Sequence, residues 1–414
     1  MRFHRGVRLL LALTAPLWAS TGCSADGEPA PVGSYHPAQP VELVETAEAD
    51  GPVVVAGGAL WWNTTTTSSV TGRGLDTLKA ITRVQTRAEK KALPRSVLRD
   101  PARALLGAFG SLWTTDGTYL RRYDPRRALA DPDGAPRAEI ELTGTPPDPA
   151  FVFEIPLVEA FGSVWVMAPT EPDAGARDRG TAGDRRGSRL LRVDPGENRV
   201  TGEFPVGDMS FGTGEVAVGH DRLYVPTSDG IAALDPRTLE VTARTDSAAL
   251  EGTVGGLGHM ALLRGSLLVQ TSGYELPHTV ARFDATTLDL VDNATQPLPG
   301  TSETLTNPML GRRHEVWTPS GTGVIRLRTQ GGGTPTTNSL RADDLVAQET
   351  LPWICDDPPA IERLSPGGGI VWGTGLTEGI WAVRPDRLPV TSVPGPASTE
   401  IRYCPEDPDE SGDG

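Results

Sequence analysis

The sequence predicts an all-β protein, a β-propeller most simply built of seven blades of four antiparallel strands. Three observations carry this. A unit of strand-forming residues, turn and second strand-forming run recurs along the chain. Its bulky residues, aligned as Trp62, Trp113, Trp165, Tyr224, Leu268, Trp317 and Trp372, lie 44 to 59 residues apart. Most units end in the same turn chemistry, as in Asp-Pro-Arg-Thr238. Repeats of about 40–50 residues holding several short strands mark propeller blades. Six or eight blades also fit, because the first and sixth units are poorly formed. A β-sandwich would need the shared internal order to arise by chance.

The clearest unit is Gly110-Ser-Leu-Trp-Thr-Thr-Asp-Gly-Thr-Tyr-Leu-Arg-Arg-Tyr-Asp-Pro125. Variants include Phe161-Gly-Ser-Val-Trp-Val-Met167 with Leu190-Leu-Arg-Val-Asp-Pro195, and Asp221-Arg-Leu-Tyr-Val-Pro226 with Ile231-Ala-Ala-Leu-Asp-Pro-Arg-Thr238. A single short sheet cannot bury both faces, so each unit must stack on its neighbours. Large aromatics at the aligned positions would fill the space between blades. Asp caps the local backbone in the terminal turns, and Pro presets its own φ.

Residues 1–22 read as an export signal, with Arg2, Arg5 and Arg8 before a short apolar run from Leu9 to Ala19. Ser20-Thr-Gly-Cys23 resembles the bacterial lipoprotein signal. That resemblance implies diacylation of Cys23, a membrane anchor and an extracytoplasmic location. Ser20 departs from the aliphatic residue usual there; an ordinary secretory signal is the alternative. Residues 23–50, rich in Pro, Ala and Glu, form a tether in this reading. Residues 51–404 form the propeller, and 405–414 an acidic, disordered tail. Either Val41 to Glu45 or Leu388 to Val393 could supply the strand that closes the ring.

Composition narrows the partners. The chain has 38 Lys+Arg against 53 Asp+Glu, a net charge of −15. No basic stripe is present to release counterions from a nucleic acid, which argues against such a partner. The basic run Arg87 to Arg103 is broken by Glu89, Pro94 and Asp100 and reads as a connection between blades. Besides Cys23 there are Cys355 and Cys404. In an oxidising compartment such a pair is expected to form a disulfide, a staple worth about 4 kcal/mol for a loop of that length.

Chemistry would lie on loops. The loops between second and third strands share one face with the loops joining blades, here called the top face. They contain Thr, Ser, Gly and acids, among them Asp116, Asp229, Tyr274 and Glu378. With Trp62 these are the candidate binding residues; ordinary turn chemistry is the alternative reading. The longest insertion, Pro169 to Ser188, carries mixed charge and reads as a mobile surface loop, with a binding finger as the alternative. Of the six His, His220, His259, His278 and His314 fall in different blades. Glu275 and His278 form the one compact acid/base candidate. No nucleophile elbow, zinc-protease or phosphate-loop motif is found, and no cofactor or metal is expected.

The units Gly110 to Pro125 and Asp221 to Val241 resemble the repeats of bacterial propellers of the virginiamycin B lyase-like and YVTN repeat-like type, over roughly residues 51–393. The resemblance rests on packing and turn residues, so it implies the fold more strongly than an activity. For the lyase it implies His-centred, Mg-dependent elimination, with His278 and Glu275 as the nearest match. Two functions stay open: a lipid-anchored, monomeric module holding an envelope protein or small ligand on its top face, and a lyase or hydrolase using a metal or His in the central channel.

Overall fold

Antiparallel strands can be joined by two residues, and the strand registers of this chain leave two residues between the first and second strands of each sheet. The computed structural model describes residues 41–45, 50–66, 74–81, 95–98, 104–131, 134–143, 155–170, 187–208, 215–245, 256–272, 279–291, 296–297, 310–312, 315–320, 323–329, 345–349, 363–367, 370–375 and 379–383. After β1 (Val41–Glu45), the strands come in groups. The first group is β2 (Asp50–Ala56), β3 (Ala59–Thr66), β4 (Gly74–Ile81) and β5 (Arg95–Leu98). The second is β6 (Ala104–Ala108), β7 (Ser111–Thr115), β8 (Tyr119–Tyr123), the one-turn helix α1 (Pro125–Ala130) and β9 (Ala138–Glu141). The third is β10 (Leu157–Ala160), β11 (Ser163–Pro169), β12 (Gly187–Asp194) and β13 (Arg199–Asp208). The fourth is β14 (Ala217–Gly219), β15 (Arg222–Thr227), β16 (Gly230–Leu234) and β17 (Val241–Arg244). The fifth is β18 (Gly256–Leu263), β19 (Ser266–Ser272), β20 (Thr279–Asp284) and β21 (Gln296–Pro297). The sixth is β22 (Leu310–Arg312), β23 (Glu315–Ser320), β24 (Gly323–Thr329) and β25 (Leu345–Glu349), and the last is β26 (Arg363–Gly367), β27 (Ile370–Gly375) and β28 (Gly379–Val383).

These strands pair into seven four-stranded antiparallel sheets. The last sheet runs β1-β28-β27-β26, so the N-terminal strand completes it, with Val41 opposite Val383. The first strand of each sheet touches that of its neighbours from β2 to β6 to β10, and from β14 to β18 to β22 to β26. The third sheet meets the fourth through β13 and β15, and β2 touches β26 and β27. The order therefore returns on itself, which is the architecture of a β-propeller. The structure resolves the choice of closing strand in favour of Val41 to Glu45; residues 388–393 lie outside the described residues. It also moves the start of the domain, expected at residue 51, back into the segment expected to be tether. The run expected to be a connection between blades supplies β5, the outer strand of the first sheet.

Side chains between sheets explain the repeat. Trp61 packs with Leu105, Leu112 and Tyr123 of the second sheet. Trp113 packs with Val164, Val166 and Leu191 of the third, and Trp165 with Leu223, Val225 and Leu234 of the fourth. Each such ring covers about 150–250 Å². The indole N–H of Trp61 donates to the Ala56 carbonyl at 3.0 Å, Trp113 to Ala108 at 3.2 Å and Trp165 to Ala160 at 3.0 Å. Every donor lies five residues after its acceptor, across the turn.

This corrects the repeat alignment. Trp61 sits opposite Val54, as Trp113 sits opposite Leu106 and Trp165 opposite Val158. Trp61, not Trp62, is therefore the first sheet's equivalent. Successive strand residues face opposite ways, so Trp62 lies on the other face. It is fully buried, and its indole nitrogen has no hydrogen-bond partner among the described residues.

We expect Trp113→Phe to keep most of the packing but lose the indole's hydrogen bond to the Ala108 carbonyl, costing about 1 kcal/mol. Trp113→Ala should cost about 3–5 kcal/mol. Urea denaturation of the two variants checks both the order and the gap.

Candidate functional site

The two ends of the ring are built differently. At one end lie the hairpins joining the first and second strands of each sheet. Their registers, such as Ala56↔Ala59, Ala108↔Ser111, Ala160↔Ser163 and Gly367↔Ile370, leave two residues per turn. Both turn residues have positive φ in Gly57-Gly58, Phe109-Gly110, Phe161-Gly162 and His220-Asp221. That conformation matches strand twist and tolerates Gly best. At Gly57 the reason is also steric, because a Cβ would lie 2.7 Å from the Pro125 ring.

The turns between third and fourth strands sit at the same end. Asp124 Oδ1 accepts from the backbone N–H groups of Arg126 and Arg127, capping α1. Asp194 does the same for Gly196 and Glu197, Asp235 for Arg237 and Thr238, and Asp284 for Thr286 and Thr287. Backbone N–H groups aimed at a carboxylate favour its charged form. Those of Arg127, Glu197 and Arg237, foremost, hold the Asp124, Asp194 and Asp235 carboxyls below their ordinary range.

Neighbouring sheets are tied through these turns. Arg122 Nη1 donates to the Pro195 carbonyl and to Asn198 Oδ1, while its guanidinium lies 5.1 Å from the Trp113 ring centre. Arg192 Nη1 donates to the Pro236 and Arg237 carbonyls at 2.9 and 2.8 Å. In the fourth sheet Tyr224 and Arg222 do this job: the phenol donates to the Ala285 carbonyl at 2.7 Å and Arg222 to Thr286 at 2.6 Å. Burial pushes the Tyr224 phenol up to about 12, so it stays a donor. Ser111 and Ser266, of the Gly-Ser-Leu motif, accept from Arg122 and Arg282 Nε at 2.9 Å and fix those arginines.

The opposite end carries the connections between second and third strands and between sheets. Asp116, a candidate binding residue, is consumed by its own turn. Its Oδ1 accepts from the N–H groups of Thr118 and Tyr119, and its Oδ2 pairs with Arg121 at 2.7 Å. Asp229 is exposed and accepts from Ser228 Oγ at 3.3 Å. Trp62 is not at the surface. The structure thus brings none of these three together. Tyr274, Glu275, His278, Glu378, Cys23, Cys355 and Cys404 lie outside the described residues, as does most of the insertion, 171–186.

One pair was missed by sequence reasoning. His259, buried to 5% exposure, lies with Nδ1 3.7 Å from Glu215 Oε1, linking the fourth and fifth sheets. Between Leu257↔Thr271 and Met260↔Val269 the register shifts, placing His259 in a β-bulge of an inner strand. Bulges re-aim side chains. The available signal was positional: each residue stands five before the first turn residue of its sheet, His220 or Arg264. A buried imidazole beside a carboxylate can hold or pass a proton. Among the described residues no group of three or more His, Cys, Asp or Glu is placed to hold a metal ion.

Because those three carboxyls are depressed on folding, their contribution is present above the unfolded-state value and lost as pH falls through the lower folded one. Replacing Asp124, Asp194 and Asp235 together by Ala should therefore lower thermal stability near neutral pH and flatten its fall on acidification. Melting curves from pH 7 down to pH 2 test this. Arg192→Met should cost about 2 kcal/mol through its two inter-sheet bonds, read by urea denaturation.

No family model matches the sequence, and no curated protein matches it. Solved structures do. The BamB protein of Moraxella catarrhalis matches at 11% identity and TM-score 0.43, covering 83% of this chain and 96% of that one. The WD40 β-propeller domain of Doa1 matches at 10% identity and TM-score 0.47, covering 84% and 96%. The designed Ika8 protein matches at 10% identity and TM-score 0.46, covering 82% and 98%. The fold assignment rests on the chain's own strand order and inter-sheet contacts, which make it an all-β propeller.

Proposed function

We propose that this chain is a lipid-anchored β-propeller of the bacterial cell envelope, with its seven sheets as blades, that binds or scaffolds a protein or small ligand at its long-connection end. One observation carries the reading. The end with two-residue turns is occupied by hydrogen bonds that hold the ring. The other end joins the same strands through connections as long as 142–156 and 170–186. Binding residues concentrate on loops positioned by a rigid scaffold. In this reading Cys23 is acylated, Cys355 and Cys404 form a disulfide, and the domain faces the extracytoplasmic side as a monomer.

A second reading is a lyase or hydrolase, favoured by the one described histidine–carboxylate pair, His259 with Glu215. The test cross-links intact cells carrying the full-length protein, beside a version whose connections 67–73, 170–186 and 273–278 are short Gly-containing turns. A defined partner captured only with the native connections supports binding at that end. Equal capture by both versions contradicts it. His278→Ala, Glu275→Ala and His259→Gln should each leave capture unchanged; loss of a turnover activity in a folded variant would favour the enzyme.

A further inference from the structure

The topology carries information about which end of the ring faces the membrane. Within each sheet the first strand runs toward the two-residue turn, the second away from it and the third back toward it. The outer strand therefore starts at the tight-turn end. In the last sheet that strand is β1, which pairs antiparallel to β28 with one register shift between Leu43 and Glu45. Val41 lies opposite Val383, which pairs with Val371, one residue past the start of β27. Val41 thus enters at the tight-turn end, and Glu45, opposite Ile380, lies toward the other.

We infer that the tight-turn end faces the membrane and that the long-connection end is presented away from it. The inference rests on acylation of Cys23, as proposed above. Only residues 24–40 separate that cysteine from Val41. With residues 24–40 taken as a tether, as this proposal does, a chain of that length has a mean end-to-end distance of about 20–25 Å and a full extension of about 58 Å. In the inferred orientation the tether runs directly from bilayer to strand. In the inverted one it must also climb the outer edge of the last sheet, about 17 Å for a five-residue strand. That detour takes up most of its mean length and stretches the chain, which costs conformational entropy. The tether therefore biases the orientation without any contact between protein and lipid. It also matches the division of labour between the ends: the end locked by Asp turns and Arg ties is turned inward, and the long connections face the periplasm or medium.

The test uses full-length acylated protein in vesicles of phosphatidylcholine containing acceptor-labelled lipid. A fluorescent non-natural amino acid replaces either Arg237 or Asp229. Both are exposed and lie in one sheet, at opposite ends of the strand pair β15–β16. Energy transfer to the lipid is expected to be stronger from position 237 than from position 229. Lengthening the tether with about forty Gly/Ser residues should shrink that difference. Equal transfer from both positions, or stronger transfer from 229, overturns the inference. Cys23→Ser separates the two claims. If this variant stays on the vesicles, the anchoring reading has failed; if it is released while the positions transfer equally, only the orientation has failed.

Discussion

Every sheet in this molecule has two faces to cover, and four short strands cannot cover them alone. That requirement sets the rest of the structure. It places a large apolar ring on the second strand, aimed at the next sheet, and it makes the seam between sheets the main buried surface. A seam of aromatic rings also buries polar atoms, since each indole brings an N–H. At Trp61, Trp113 and Trp165 the chain solves this locally, by donating that N–H to the carbonyl five residues earlier, across a two-residue turn. The positive φ values at Phe109, Phe161 and His220 are the backbone cost of those turns.

The arginine ties extend the same logic from faces to ends. A guanidinium from one sheet reaches the carbonyls of the next sheet's Asp turn. The hairpin serine Ser111 and the ring of Trp113 hold Arg122 in place, and Thr201 accepts from Arg192 Nε. Where Ala233 replaces the arginine of this position, the phenol of Tyr224 and the guanidinium of Arg222 make the equivalent bonds. One chemical task is thus met by two residue sets. The consequence for function is a division of the molecule: one end is taken up by self-assembly, and the other retains chain length beyond what strand connection needs.

Much of the fold was legible, because its signals are local. Gly-Ser-Leu-Trp, Arg-Tyr-Asp-Pro and their variants sit in contiguous sequence and report turn, seam and cap together. What was not legible follows from the period of two. Trp61 and Trp62 are neighbours of equal size, and a slip of one residue reverses which face each serves; only the register to Val54 separates them. Asp116 looked available because an acidic residue in a loop reads the same whether it binds a ligand or its own backbone. The Glu215–His259 pair was hidden for a different reason: its members belong to different sheets and meet only when the ring forms. Val41 to Glu45 was visible as a strand that could close the ring, but the choice between it and Leu388 to Val393 depends on pairing with the far end of the chain, which local sequence does not report.

The ring's closure is the claim on which the remainder depends, and it is open to direct measurement. Removing residues 24–45 deletes β1 and leaves the outer edge of the last sheet unpaired. Urea denaturation of that truncated protein, followed by native-state hydrogen exchange, should show a lower midpoint and a broader transition, with protection lost first in β26, β27, β28 and β2. An unchanged midpoint with unchanged protection in those strands would contradict the closed ring described here.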